Sequence, residues 1–305
     1  MMLRLGEVPT MVVSSRDAAR EVMRLHDTAF ATRPLSATMR VLINGGRNIA
    51  LAPYGDYWRQ IRKIAVTELL TEGGLQFPLD MDAIKVLIFL TQLPKKVHCT
   101  QDIFGAGSET SSTTLGWAIA ELIRNPKAMH KATAEVRHAL ASDGAVSEAA
   151  LGELHYLNLG NIPAAPTGAA SSATRVPGIV PAVTQVLVNV WALGHDERYW
   201  PDHPPDEFQP ERFNNGEAAA ADFRGTNFEL LPFGAGRRMC PGLAFGLANV
   251  ELPLASLLFH FDWEVPGLAN PADLDMTETF GITVRRKSDL LLCPILRMAV
   301  PQPID

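Results

Sequence analysis

One eleven-residue stretch limits this chain more than any other: Pro232 to Gly242, PFGAGRRMCPG. Gly234 and Gly236 allow a tight turn with positive φ. Pro241 suits the first turn of a following helix. Cys240 therefore stands just before a helix N-terminus, where backbone N–H groups point at its sulfur, and Arg237 and Arg238 add positive charge. All three influences favour thiolate over thiol. A lone thiolate at a glycine-lined junction of loop and helix suits axial ligation of a metal in a flat cofactor, because the glycines let that cofactor approach the backbone. On spacing alone, a buried small hydrophobe is an equally common fate for a free cysteine. A dinucleotide-binding reading of Gly234-Ala235-Gly236 fails, since the third glycine is missing and no clean strand precedes it.

Composition narrows the class further. Hydrophobic residues make up 47% of the 305 and charged residues 20%, enough apolar material for a sizeable core. The net charge of −6 excludes a chain-wide basic footprint for nucleic acid. Cys99, Cys240 and Cys293 lie far apart with no CxxC pair, which excludes a disulfide scaffold and a thiolate zinc cluster. No apolar run reaches the ~18 residues of a membrane span, and the opening MMLRLGEVPT lacks the form of a signal peptide. The expectation is a soluble, intracellular protein.

Periodicity predicts a mainly helical chain with small sheets. A strand is expected at Met11–Val13, followed by helices over 15–30, 57–70, 80–90, 102–125 and 126–142. Residues 32–46 read as loop. Residues 160–174, almost wholly Gly, Pro, Ala, Ser and Thr, read as linker. A strand is expected over 186–193, a helix after Pro241, and a terminal hairpin over 282–295.

The whole Cys240 string resembles the haem-binding loop of cytochrome P-450 enzymes, the haem-thiolate monooxygenases. Their pattern F-x-x-G-x-R-x-C-x-G is met by Phe233, Gly236, Arg238, Cys240 and Gly242. Four further segments resemble the same family, in the family's order. Ala106 to Ser111, AGSETS, looks like the oxygen-activating kink of the long distal helix, with Glu109 and Thr110 as its acid and alcohol. Trp58 and Arg62 match the W-x-x-x-R of the helix that holds a haem propionate. FQPERF, Phe208 to Phe213, matches the P-E-R-F segment with Arg212 as its key residue. Phe280-Gly281-Ile282 resembles the hairpin that enters the substrate pocket. The closest flavour is the plant microsomal type.

The resemblance implies a cytochrome P-450 fold and an enzyme of secondary metabolism. Haem is bound by Cys240 as iron ligand, with Arg238, Trp58 and Arg62 on the propionates. Thr110 and Glu109 deliver protons. One atom of O2 enters a small apolar substrate and the other leaves as water, with electrons from an NADPH-dependent reductase. The expected organisation is an N-terminal portion over 1–71, the distal helix and its successor over 72–157 interrupted by 90–101, a linker over 158–178, and the haem-binding portion over 179–305. The family sits at the cytosolic face of the endoplasmic reticulum membrane; this chain, starting after the anchor, is expected to be cytosolic or peripheral.

The likeness comes in pieces. Near Thr71 the propionate helix runs almost directly into the lead-in of the distal helix, without the roof helices of the family. Pro94 falls where a helix should continue, at a cost of roughly 3 kcal/mol. No E-x-x-R helix follows Leu157, so Arg212 is expected to lack the ion partners it has in the family; a stranded buried charge costs about 3–5 kcal/mol. Two alternatives therefore stand beside the monooxygenase: an inactive remnant, and a haem-thiolate isomerase or dehydratase that does not use O2. The Glu109–Thr110 pair argues against the latter, which needs no such proton relay.

Overall fold

The computed structural model describes residues 1–42, 48–70, 99–140, 146–157, 170–173, 184–201, 203–214, 223–281 and 283–298. They form two compact units. The first takes in residues 1–108, 168–195 and 222–245; the second takes in 109–167, 196–221 and 246–305. The expected helix at 80–90, Pro94 and the Thr71 junction lie outside the described residues.

In the first unit, β1 (Met2–Leu5) and β2 (Val8–Val13) form an antiparallel hairpin that turns at Gly6 with a φ of 61°. β2 pairs in parallel with a later strand, Gln185–Val188, with Thr10 opposite Gln185 and Val13 opposite Val188. That strand is β4, because Ala170–Ala173 forms β3 antiparallel to it, giving the order β1-β2-β4-β3. The stretch read as linker thus contributes a strand, since ladder pairing needs only backbone. The rest of 158–178 lies outside the described residues. Strand alternation buries Val186 and Val188.

The strand expected to reach residue 193 stops at Val188. Asn189 accepts the N–H of Ala192 at 3.0 Å and starts a short helix, Val190–Gly194, instead. Two earlier helices flank this sheet in sequence. α1 (Arg16–Arg20) continues as a π-helical turn, Glu21–Leu25, and α2 (Ala37–Leu42) lies where loop was expected. The Ser36 hydroxyl accepts the N–H of Met39 at 3.1 Å and caps α2. α3 (Asp56–Ile64) extends through the π-helical Ala65–Leu69 and buries Trp58 and Ile61. Val13, Val22, Phe30, Val186, Phe228 and Leu231 belong to this unit's core.

α4 (Cys99–Arg124) and α8 (Leu243–His260) each contribute residues to both units. Between them in sequence come α5 (Pro126–Ala139), α6 (Glu148–Leu151) and the Val190–Gly194 helix, α7. Within α4, Ser112 and Thr114 hydroxyls bond back to the carbonyls of Glu109 and Thr110, at 3.0 Å each. The helix thereby accommodates its hydroxyl-rich stretch. In the second unit the Glu135 carboxylate receives the N–H groups of Tyr156 and Leu157 at 2.7 and 2.9 Å. Trp117, Leu122, Val136, Leu154 and Leu258 are part of its core.

α8 corrects one expectation. Its 18 residues have a mean hydropathy of 1.4, long and apolar enough to cross a membrane by length and composition. Leu254, Ala255, Leu258 and Phe259 sit in the second unit's core, and a third of the helix is buried in protein. The expected tail hairpin is also divided. β5 (Phe261–Glu264) pairs with β8 (Cys293–Leu296), whereas β6 (Glu278–Thr279) pairs with β7 (Arg285–Arg286).

Candidate functional site

The Cys240 loop belongs to the first unit, and so do Phe233, Gly236, Arg238, Gly242, Trp58 and Arg62. Gly234 and Gly236 both take positive φ, 70° and 64°, as the turn requires. The loop closes on itself where the Cys240 N–H donates to the Phe233 carbonyl at 2.9 Å. Phe233 packs edge-on to Phe223, with 6.2 Å between ring centroids. A Cβ at Gly236 would stand 1.9 Å from the Met23 carbonyl oxygen, so the loop backbone lies directly on the π-helical turn after α1. Gly242 is different: a Cβ there would make ordinary contact with Leu70, at 3.6 Å. Its service is its N–H, which bonds to Cys240.

Gly236→Ala is therefore expected to be severe. A left-handed alanine costs about 1–2 kcal/mol before the backbone collision is counted. The variant should melt several degrees lower and lose bound cofactor, whereas Gly242→Ala should keep most of both. Equal melting temperatures for Gly236→Ala and the parent chain would contradict this.

Cys240 keeps an exposed surface, but the protein around it still pushes its thiol up by burial. The Gly242 N–H and Arg62 act the other way and do not win. The expectation of a thiolate favoured by the protein alone is thus corrected, because burial outweighs the helix-end and arginine contributions. A metal ion on the sulfur would supply the missing positive charge. Arg237 does not help, since it pairs with Asp27 at 3.1 Å and bonds to the Tyr54 hydroxyl at 3.1 Å.

Arg62 and Arg238 gather on Trp58. The Arg238 guanidinium lies 4.2 Å and that of Arg62 5.3 Å from the Trp58 ring centroid. Trp58 is fixed by its indole N–H, donated to the Ile49 carbonyl at 2.9 Å. Arg62 donates to the Met239 carbonyl at 2.7 Å, next to the cysteine. Arg238 donates to the Ala31 carbonyl through Nε and to that of Ala52 at 2.6 Å through Nη2. Its Nη1 is buried without a partner. Burial, then the charges of Arg33 and Arg62, push Arg238 down to about 10.

Arg33 is the residue that the sequence motifs missed. Its Nε is also buried without a partner, and burial lowers its ionisation range. Among the described residues, none of these three arginines has a carboxylate partner. Three crowded cations, two of them with a buried donor left unpartnered, have the chemistry to receive an anion. With an accessible sulfur in the same unit, they fit a flat iron cofactor bearing carboxylates.

Glu109 and Thr110 are exposed and lie in the second unit, at its boundary in α4. Glu109 accepts the Thr283 hydroxyl at 2.9 Å. Gly107, on the same helix but in the first unit, would bring an added Cβ to 3.5 Å from the Phe245 ring.

Arg212 has no carboxylate hydrogen-bond partner among the described residues, as expected, yet it is not stranded. It is 8% exposed, donates to the carbonyls of Pro204, Glu207 and Gln209, and lies 5.5 Å from the Trp200 ring centroid. Backbone dipoles and an aromatic face solvate the guanidinium there. The neighbouring Glu211 is held by Lys131 and by the Tyr156 hydroxyl at 3.0 Å.

Comparison with known proteins points to one family. The sequence model of a family described as Cytochrome P450 matches residues 1–81 and 81–293. The chain is 35% identical to desmethyl-deoxy-podophyllotoxin synthase of Sinopodophyllum hexandrum, covering 96% of this chain and 84% of that protein. It is 33% identical to premnaspirodiene oxygenase of Hyoscyamus muticus, covering 96% and 85%. The first alignment spans 431 positions, more than the 305 residues here, so that relative carries internal stretches without counterpart in this chain. A zebra fish cytochrome P450 structure with progesterone shares the fold at a TM-score of 0.78 and 21% identity, covering 97% of this chain and 96% of that one.

Proposed function

The chain belongs to the cytochrome P450 family as a plant-type, haem-dependent monooxygenase, and from that premise we propose that Cys240 ligates the iron and that Arg33, Arg62 and Arg238 hold the propionates against Trp58. The observation that carries this reading is the cluster of unpartnered guanidinium donors in the same unit as the cysteine loop. Haem, when bound, supplies the iron at which dioxygen is activated.

The protein's own residues have narrower tasks. Gly234 and Gly236 shape the loop so that the cysteine sulfur stays accessible. The Gly242 N–H and Arg62 stabilise negative charge on that sulfur. Trp58 holds two guanidiniums at its ring, so their donors are placed before the carboxylates arrive. Glu109 and Thr110 form the acid and alcohol that pass protons toward the reacting oxygen. The substrate in this reading is a small apolar molecule. The electron source is an NADPH-dependent reductase at the cytosolic face of the endoplasmic reticulum.

The test is the carbon monoxide complex of the reduced, haem-loaded protein, which should show a thiolate-type Soret band. A histidine- or water-type band would overturn the assignment. A separate expectation concerns proton delivery. Thr110→Ala should leave that band intact while diverting NADPH electrons to peroxide, by roughly tenfold or more. Product formation still coupled to NADPH use would leave Thr110 a helix-packing residue only.

A further inference from the structure

The segment after α8 contains a small hairpin braced from within. The Asp275 carboxylate receives the Thr277 N–H at 2.9 Å and the Ser288 hydroxyl at 2.7 Å, and the Asp275 carbonyl receives Arg286 at 2.6 Å. The Lys287 N–H donates to the Thr277 carbonyl at 2.8 Å, closing the β6–β7 ladder. These bonds tie both strands at their base, so the hairpin behaves as one piece. Its tip presents Phe280, which is 83% exposed.

Two bonds fasten that piece to α4. The Trp117 indole N–H donates to the Val284 carbonyl at 3.0 Å, and the Thr283 hydroxyl donates to Glu109 Oε1 at 2.9 Å. The turn leading into Thr283 is tight, since a Cβ at Gly281 would lie 3.1 Å from the Thr283 carbonyl oxygen. Thr283 therefore has little freedom independent of the hairpin. Glu109 has a long side chain on an exposed helix face, and the Thr283 hydroxyl holds one oxygen of its carboxylate.

We propose that Thr283 is a positioning residue for Glu109, and that through it the seating of the β6–β7 hairpin sets whether the Glu109 carboxylate is held ready to pass a proton. The inference rests on the reading of Glu109 and Thr110 as the proton-delivering pair. Thr283 keeps its own proton throughout; it donates a hydrogen bond and orients the acceptor. Loss of that hydroxyl releases the Glu109 carboxylate from the hairpin. Hairpin seating and proton delivery are thereby linked through one hydroxyl.

The experiment uses the haem-loaded chain and four variants: Thr283→Val, Thr283→Ser, Glu109→Ala and the Thr283→Val/Glu109→Ala pair. Hydrogen–deuterium exchange of the 283–286 amides reads the fastening directly. Thr283→Val and Glu109→Ala should each speed that exchange roughly threefold or more, and the double variant should add nothing further. Thr283→Ser should restore the parent rate. The fraction of NADPH electrons appearing as peroxide should rise in Thr283→Val and return in Thr283→Ser. Exchange unchanged in both single variants would overturn the proposal. So would peroxide that rises in Glu109→Ala and not in Thr283→Val, an outcome that leaves the Glu109 reading standing. Peroxide unchanged in both would overturn the proposal together with that reading.

Discussion

Cys240→Ser is expected to abolish the thiolate-type Soret band of the reduced carbon monoxide complex outright, while Cys99→Ser and Cys293→Ser leave it unchanged. The reasoning is local. Cys240 lies at the end of a loop whose two glycines take positive φ, and its N–H is tied back to Phe233. Its sulfur faces the Gly242 N–H and the charge of Arg62. Cys293 sits in β8 opposite Glu264, outside any glycine-shaped loop. A serine hydroxyl keeps the size of the thiol but is a poor ligand for iron at neutral pH, so the electron donation that sets the band is lost. A band that survives in Cys240→Ser would mean that another group ligates the iron.

The loop was legible in the sequence because its geometry is written in adjacent residues. Glycines at positive φ, a proline before a helix and a cysteine between them need no distant partner to be interpreted. Trp58 and Arg62 were legible for a similar reason: four residues apart on a helix, they share a face. The limits appear wherever a distant group decides the outcome. Gly236 is required as much by the Met23 carbonyl as by its own φ, and no local pattern announces that approach. Arg212 finds carbonyls a few residues before it, so the missing carboxylate did not leave it stranded.

Local signals were also overruled. Ser36 before Ala37–Leu42 is an ordinary cap signal, hidden by the proline and glycines on either side. β3 has the composition of a linker and becomes a strand because β4 offers a free ladder edge. For the cysteine, the expected sign of the thiol shift failed because sequence shows charges and helix ends but not burial. Arg33 went unnoticed because it stands outside both motifs, just before Pro34; only the assembled unit shows its charge acting on Arg238.

Arg33 leads to the second large effect, which has opposite signs with and without cofactor. In the protein alone, Arg33 carries a buried Nε without a partner and raises the cost of the charge on Arg238. Arg33→Gln removes that repulsion together with a desolvated cation. The cofactor-free variant should therefore melt at the parent temperature or a few degrees above it. If Arg33 holds a propionate as proposed, the same substitution would remove a donor and a positive charge from it. Truncating one partner of a hydrogen-bonded charge pair costs about 2 kcal/mol or more, roughly 30-fold in affinity. Haem should accordingly transfer to an excess of a scavenging apoprotein at least tenfold faster from Arg33→Gln than from the parent. Arg238→Gln should weaken haem retention too, but it should also lower the cofactor-free melting temperature, because Ala31 and Ala52 lose their donor. The contrast between the two variants separates a residue kept for the anion from one that also holds the fold. A lower cofactor-free melting temperature for Arg33→Gln, with haem transfer unchanged, would show that Arg33 serves packing and that the propionates are held by Arg62 and Arg238 alone.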